Sequence, residues 1–316
     1  MRASGTLLCL SSAAAFGAMA VFGKLAYEGG ATVGTLLAVR FLLASALFWG
    51  VVLGRGGAAE VRRLPRRDVA LALGLGALGY AGQAGAYFAA LERIDASLLS
   101  LLVYTFPAMV TAAAILLGRE RPGARRLTAL ALTSTGLALV VAGAGAGALD
   151  PAGTLLGLGA AVVYSAYILV GEPVAARMPP QVLAALVCSG AAATLTPGAA
   201  VLGQLRPGDV TPAGWTWLAC LAAVSTVAAI GLFFAALRRA GPTTTAILST
   251  AEPLVTVVLA FLVFGASLGA VQLLGGAVML GGVLALRLRW PRPAARAQAP
   301  RSRRRRPARY APSYRR

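Results

Sequence analysis

Leu91-Glu92-Arg93-Ile94-Asp95-Ala96-Ser97-Leu98-Leu99 opens an apolar run that reaches Pro107. Leu237-Arg238-Arg239-Ala240-Gly241-Pro242-Thr243-Thr244-Thr245 leads in the same way to Pro253. Laid over each other, the two stretches pair Arg93 with Arg239, Ser97 with Thr243, Leu102 with Leu248 and Pro107 with Pro253. The same register pairs Phe88 with Phe234 and Gly136 with Gly282. The chain therefore reads as two copies of one unit. A proline inside an apolar run frees backbone polar groups that hydrocarbon cannot satisfy, and these are tolerated only where they face protein or a wet cavity. Duplicated membrane helices broken at matching depths are a transporter signature.

Composition agrees with a membrane protein. Of 316 residues, 58% are hydrophobic and only 12% charged, and the mean hydropathy is +0.77. A soluble domain carries about 25% charged residues. Abundant Gly and Ala suit close helix contacts in lipid. There is no His, which excludes imidazole-based metal sites and triads, and no metal or cofactor is expected. Cys9, Cys188 and Cys220 lie within apolar runs and read as small packing residues. The net charge of +19 is concentrated between Arg287 and Arg316, with Arg303-Arg304-Arg305-Arg306 and five prolines in that stretch. A basic, proline-rich tail after a final span suits anionic lipid headgroups better than nucleic acid.

Ten segments are long and apolar enough to be read as spans. They are Thr6–Tyr27, Thr32–Leu53, Val69–Leu91, Ser97–Leu117, Ala124–Gly143, Gly153–Gly171, Gln181–Gly203, Ala213–Leu237, Thr243–Phe264 and Ser267–Leu288. With the N-terminus in the cytoplasm, the inward gaps hold Arg55, Arg62, Arg63, Arg66, Arg67, Arg119, Arg121, Arg125, Arg126, Arg177, Arg238, Arg239 and the tail. The outward gaps hold only Lys24, Arg93 and Arg206. That asymmetry obeys the positive-inside rule and predicts both termini in the cytoplasm of a multi-pass cell-membrane protein. Arg2, the run from Leu7 and Ala18-Met19-Ala20 imitate a signal peptide, but the apolar run continues to Leu25, long enough to span. Five helices per copy is an odd number, so the copies must enter the membrane in opposite directions. The expected fold is all-α: two inverted five-helix repeats, residues 1–145 and 146–288, and a basic cytoplasmic tail, 289–316.

The residues then resemble a known family, the EamA-domain permeases of the drug/metabolite transporter superfamily, over nearly the whole chain in two copies. The first copy carries Phe16-Gly17 followed by Lys24, Arg40-Phe41-Leu42-Leu43-Ala44, Tyr87-Phe88-Ala89-Ala90-Leu91 with Ala96-Ser97, and Pro107 through Leu117-Gly118-Arg119-Glu120. Glu252-Pro253 fits the second copy. Two departures stand out. Phe264-Gly265-Ala266-Ser267 lacks the acid usual at that point, and Tyr164-Ser165 replaces Trp-Gly. The resemblance implies ten helices and secondary transport or export of small organic solutes, with amino acids common among them.

Ionisable groups inside spans are costly, so each is a functional candidate. Glu252 sits inside the ninth span beside Pro253. A carboxylate there can bind a substrate amine or cycle a proton; the alternative is a structural acid held by hydroxyls or an arginine. Arg40, inside the second span, can attract a carboxylate or phosphate, pair with a buried acid, or snorkel. Lys24 lies near the end of the first span, where a snorkelling lysine is the plainer reading. Tyr80, Gln83 and Tyr87 lie on the third span, where Gln83 and Tyr87, four apart, share a face. Tyr104 stands three residues before Pro107, and Tyr164 and Tyr167 are three apart on the sixth span. Polar-tipped aromatics on a cavity grip amphipathic solutes, although ordinary packing serves equally. Pro107 and Pro253 are expected to kink matching helices that act as gates. Gly74, Gly76 and Gly79, and likewise Gly275, Gly276, Gly281 and Gly282, read as helix-contact residues. No nucleotide-binding loop is present, so transport is expected to run on a gradient, with H+ a candidate coupling ion, or by facilitated exchange. The rival reading is an integral-membrane enzyme acting on lipid or isoprenoid, but the ten acids are scattered and no acid cluster of the kind such enzymes use appears. A non-enzymatic exporter of small metabolites is the expectation.

Overall fold

The computed structural model describes residues 2–118, 123–143, 150–240, 248–249 and 251–287. Several expectations lie outside the described residues: Glu120 with Arg119 and Arg121, most of the connector between the copies, the 241–247 portion of the second motif and ninth span, and the basic tail.

Among the described residues every regular element is helical. In chain order the main helical runs are α1 (Ser4–Glu28), α2 (Val33–Gly54), α3 (Arg66–Leu91), α4 (Ala96–Leu116), α5 (Ala124–Gly143), α6 (Pro151–Ala175), α7 (Pro180–Val201), α8 (Pro212–Ala236), α9 (Ala251–Phe264) and α10 (Ala270–Arg287). Seven of them, all but α5, α9 and α10, are long and apolar enough to cross a membrane. The other three are apolar over the shorter stretches Leu127–Val140, Ala251–Phe264 and Ala270–Ala285. A chain with these helices crosses the membrane several times. Leu78, Leu116, Leu155 and Leu262 are largely exposed, a placement that water penalises and lipid does not.

Local chemistry starts the helices. Asp150 caps α6 by accepting from Gly153 N at 2.7 Å, and Thr211 caps α8 by accepting from Gly214 N at 3.2 Å. A proline follows each cap at the first helical position, where its missing N–H costs nothing. Four irregularities interrupt the runs. α1 breaks at Ala18, between Gly17 and Met19. α4 breaks at Tyr104–Thr105, so that Pro107 falls in the first turn of the segment Phe106–Leu116. Pro253 likewise sits in the first turn of α9. The remaining two are π-helical turns, Leu75–Tyr80 in α3 and Ala223–Ala228 in α8.

Glycines set the closest helix contacts. A Cβ on Gly136 would lie 2.6 Å from the Gly275 carbonyl oxygen and 2.7 Å from Met279 Cβ. One on Gly282 would lie 2.9 Å from the Ala129 oxygen and 2.7 Å from Thr133 Oγ1. In the register that pairs Phe88 with Phe234, Ala129 and Thr133 correspond to Gly275 and Met279. The α5–α10 contact is thus self-complementary, and higher numbers on α5 meet lower numbers on α10, so the helices run antiparallel. α2 and α7 also run antiparallel: Gly34 meets Ala199 and Gln204, and Ser45 meets Ser189 at 2.8 Å. In lipid such contacts hold by close van der Waals packing, which a side chain would prevent. At one end of the bundle the α1–α2 loop is stitched to the α7–α8 loop. Thr211 N donates to Gly29 O at 2.9 Å, Thr35 Oγ1 to Gln204 O at 3.0 Å, and Arg206 N to Thr35 Oγ1 at 2.8 Å. Gly30 there has φ +88° and faces the Asp209 carbonyl, a backbone only glycine adopts without strain.

Candidate functional site

A cavity of about 570 Å³ lies within the bundle, walled by residues from α1 to α4, from α6 to α10, and by Ser249. Nine of the candidate residues of the sequence line it: Arg40, Tyr80, Gln83, Tyr87, Tyr104, Pro107, Tyr164, Tyr167 and Glu252. The wall is less polar than their side chains alone suggest, because Phe16, Phe88, Phe106, Phe233 and Phe234 fill the gaps between them. Two candidates stand apart. Pro253 is buried in the first turn of α9, behind Glu252 and off the wall. Lys24 pairs with Asp95 at 3.4 Å and holds its ammonium 5.9 Å from the Phe264 ring centre, which accounts for it without a solute.

Arg40 is 2% exposed. A guanidinium at membrane depth needs compensation, and here it comes from hydroxyls and rings. Nε donates to Thr226 Oγ1 at 3.1 Å, and Nη2 donates to the Tyr80 hydroxyl at 3.4 Å. The guanidinium carbon lies 5.0 Å from the Phe41 ring centre, 5.3 Å from that of Phe88 and 6.0 Å from that of Tyr80, within cation–π range. Among the described residues no carboxylate lies within 4.0 Å of it. Its Nη1 and one Nη2 proton remain available.

Glu252 is positioned by its backbone. Its N–H donates to Ser249 O at 3.1 Å, and its carbonyl accepts from Thr256 Oγ1 at 3.2 Å. The same Thr256 hydroxyl reaches Gly17 O at 3.0 Å, a carbonyl beside the break in α1. Gly17 has no room for a side chain, since a Cβ would lie 2.9 Å from Glu252 O. The Glu252 carboxylate itself has no hydrogen-bond or ion-pair partner among the described residues, and neither do the Gln83 amide and the Tyr87 and Tyr167 hydroxyls. Unused polar groups lining one void are what a binding site presents to a ligand. The rings of the wall are themselves ordered. Tyr80 stacks on Tyr167 at 5.9 Å, Tyr167 on Tyr164 at 6.2 Å, Tyr164 meets Phe106 at 4.6 Å, and Phe106 meets Tyr104 at 5.7 Å. Tyr104 ends that row by donating to Ser249 O at 2.6 Å.

Sequence reasoning offered Tyr80 as a polar-tipped aromatic of the third span but not as a partner of Arg40, and it passed over Thr226 and over Cys188, which lines the cavity although it reads as a packing residue. A tyrosine at membrane depth was a usable signal for Tyr80. For Thr226, in Ala223-Val224-Ser225-Thr226-Val227-Ala228, there was none.

Comparison with known proteins decides the family. The model of the EamA-like transporter family matches residues 3–142 and again residues 151–288. The chain belongs to that family. Members carry small-molecule solutes across membranes, so this chain is a membrane transporter by membership. An uncharacterized transporter, YcbK, from Bacillus subtilis is 26% identical over 285 residues, which is 86% of this chain and 89% of that protein. An uncharacterized transporter from Archaeoglobus fulgidus is 27% identical over 203 residues, 63% of this chain and 69% of its own. A second Bacillus subtilis protein, the uncharacterized transporter YwfM, is 32% identical over 139 residues, 44% of this chain and 46% of its own. A crystal structure at 22% identity superimposes with a TM-score of 0.62 over 90% of this chain and 97% of its own, a likeness of fold.

Proposed function

We propose that this chain is a secondary transporter, working as an exporter, of small organic metabolites such as amino acids, and that the solute passes through the cavity between two inverted five-helix repeats by alternating access. The observation that carries this reading is the pair of opposite, unpaired charges, Arg40 and Glu252, on one cavity wall. In a dry scaffold two such groups would neutralise each other, because an unpaired buried charge is expensive. A solute bearing both charges satisfies both. The double family match and the antiparallel, self-complementary α5–α10 contact support inversion, since equivalent helices of inverted copies must run in opposite directions. Ten spans, cytoplasmic termini and a cell-membrane location follow from the arginine distribution. Glu252 serves as the proton-coupling carboxylate, Pro107 and Pro253 mark the gates, and the basic tail holds anionic headgroups.

The test is flux of radiolabelled amino acids into proteoliposomes, with and without a pH gradient, for wild type and Glu252→Gln. Saturable, gradient-dependent flux that the substitution removes supports the reading. Equal flux in both proteins makes Glu252 structural.

A further inference from the structure

α3 and α8 each carry one π-helical turn, Leu75–Tyr80 and Ala223–Ala228. The register that pairs Phe88 with Phe234 lays the two turns over each other, two residues out of step, and pairs Tyr80 with Thr226. These are the two residues that accept from Arg40, Thr226 from Nε at 3.1 Å and Tyr80 from Nη2 at 3.4 Å. The two copies therefore grip one guanidinium with equivalent positions. A π turn adds a residue to the helical circuit and leaves a carbonyl without its usual partner, and such turns concentrate at functional sites. In α8 a side chain of the turn is tied back to the backbone. Thr226 Oγ1 donates its only proton to Leu221 O, five residues back, at 3.0 Å. Its remaining lone pairs are thereby committed to accept, and Arg40 is what they meet. Tyr80 is in turn held edge-on by Phe41 at 5.1 Å and stacked on Tyr167. The guanidinium is fixed in plane and in rotation, with its Nη edge unspent. Two parallel N–H bonds on a planar fork match a carboxylate in geometry and charge.

We infer that Tyr80 and Thr226 are positioning residues which aim the free edge of Arg40 into the cavity, and that the solute is recognised there by a carboxylate, with its ammonium directed to Glu252. The inference rests on the transporter reading, and what it adds is the two residues that hold Arg40 and the end of the solute that Arg40 meets.

The test uses the full chain, purified in detergent, with three probes that differ by one charge each: L-phenylalanine, 3-phenylpropionate, which lacks the amine, and phenethylamine, which lacks the carboxylate. The phenyl ring suits the aromatic wall. Affinities are measured by titration calorimetry for wild type, Thr226→Val, Thr226→Ser and Tyr80→Phe. L-phenylalanine and 3-phenylpropionate bind wild type, and each lose about tenfold in affinity in Thr226→Val and in Tyr80→Phe. Thr226→Ser, which keeps the hydroxyl, stays within about twofold. Phenethylamine is indifferent to all three substitutions. A merely structural threonine would instead move the three probes together, and that result overturns the inference. So does a wild type that binds neither carboxylate. Tyr80→Phe keeps the test decisive if Thr226→Val fails to fold. Counterflow in proteoliposomes separates the two readings. Probes that bind but never cross the membrane defeat transport and leave the receptor standing. L-phenylalanine flux of equal KM in wild type and Thr226→Val defeats the positioning role and leaves transport standing.

Discussion

α5 and α10 form one pair of equivalent helices from the two copies, and α3 and α8 form another, yet the duplicated sequence serves them differently. In the first pair backbone meets backbone: a Cβ on Gly275 would lie 2.7 Å from both Gly136 O and Val140 N. Among the described residues of that pair, only Val283 lines the cavity. In the second pair each helix gives up α geometry for six residues and delivers a hydroxyl to Arg40. Close contact without side chains supplies rigidity, because nothing in it can adjust. A widened turn gives up some helix regularity and gains a directed polar group. The difference teaches that duplication alone does not make a site; what matters is which equivalent positions are released from packing.

The sharpest way to break the comparison is Gly275→Leu. Its Cβ meets Gly136 O, Val140 N and Leu139 Cβ, none of which can swing away, so about 2–3 kcal/mol of stability should be lost, read as a large fall in the thermal unfolding midpoint in detergent. Gly85→Ala, where nothing lies within 4 Å of the new Cβ, should be neutral or slightly stabilising. A wild-type midpoint for Gly275→Leu would deny α5–α10 its scaffold role. Glu252→Gln should do the reverse, reducing gradient-driven accumulation to passive leak while the midpoint stays near wild type.

A single kind of substitution made in both pairs sharpens the contrast further. Thr133 on α5 is buried and its hydroxyl has no partner among the described residues. Thr133→Val should therefore leave stability unchanged or raise it by up to about 1 kcal/mol, with probe affinity untouched. Thr226→Val should weaken carboxylate probes and lower stability by about 1–3 kcal/mol, because it leaves the buried Arg40 Nε without its acceptor. If both threonines behaved alike, the distinction between the pairs would be lost. The smallest effect belongs to Asp68→Asn, which removes the 3.3 Å pair between buried Asp68 and half-exposed Arg177. About 1 kcal/mol or less should go, and the difference from wild type should shrink in high salt.

Much of the site was legible because hydrocarbon makes polar residues conspicuous. Arg40, Gln83, Tyr87 and Glu252 stand out in apolar runs, and all four line one cavity. Pro107 marks its helix break because proline cannot donate, although the break falls at Tyr104–Thr105, before the proline. Glycine counting was less discriminating. Gly76 sits against the Val187 carbonyl and Gly79 against Tyr167, whereas Gly74 and Gly281 have open space where a Cβ would go. Lys24 could not be separated from a pathway residue until Asp95 and Phe264 were placed beside it.

The sequence by itself determined the duplication, the helical class and the residues that membrane burial makes costly, because hydropathy and repeat register are properties of the chain read in order. Only the tertiary structure decided that Thr226 and Tyr80 hold Arg40, that no carboxylate among the described residues pairs with it, and that α3 and α8 open into π turns. Those outcomes depend on which carbonyl a side chain reaches after the helices have packed, and residues 186 positions apart carry no local signal of meeting.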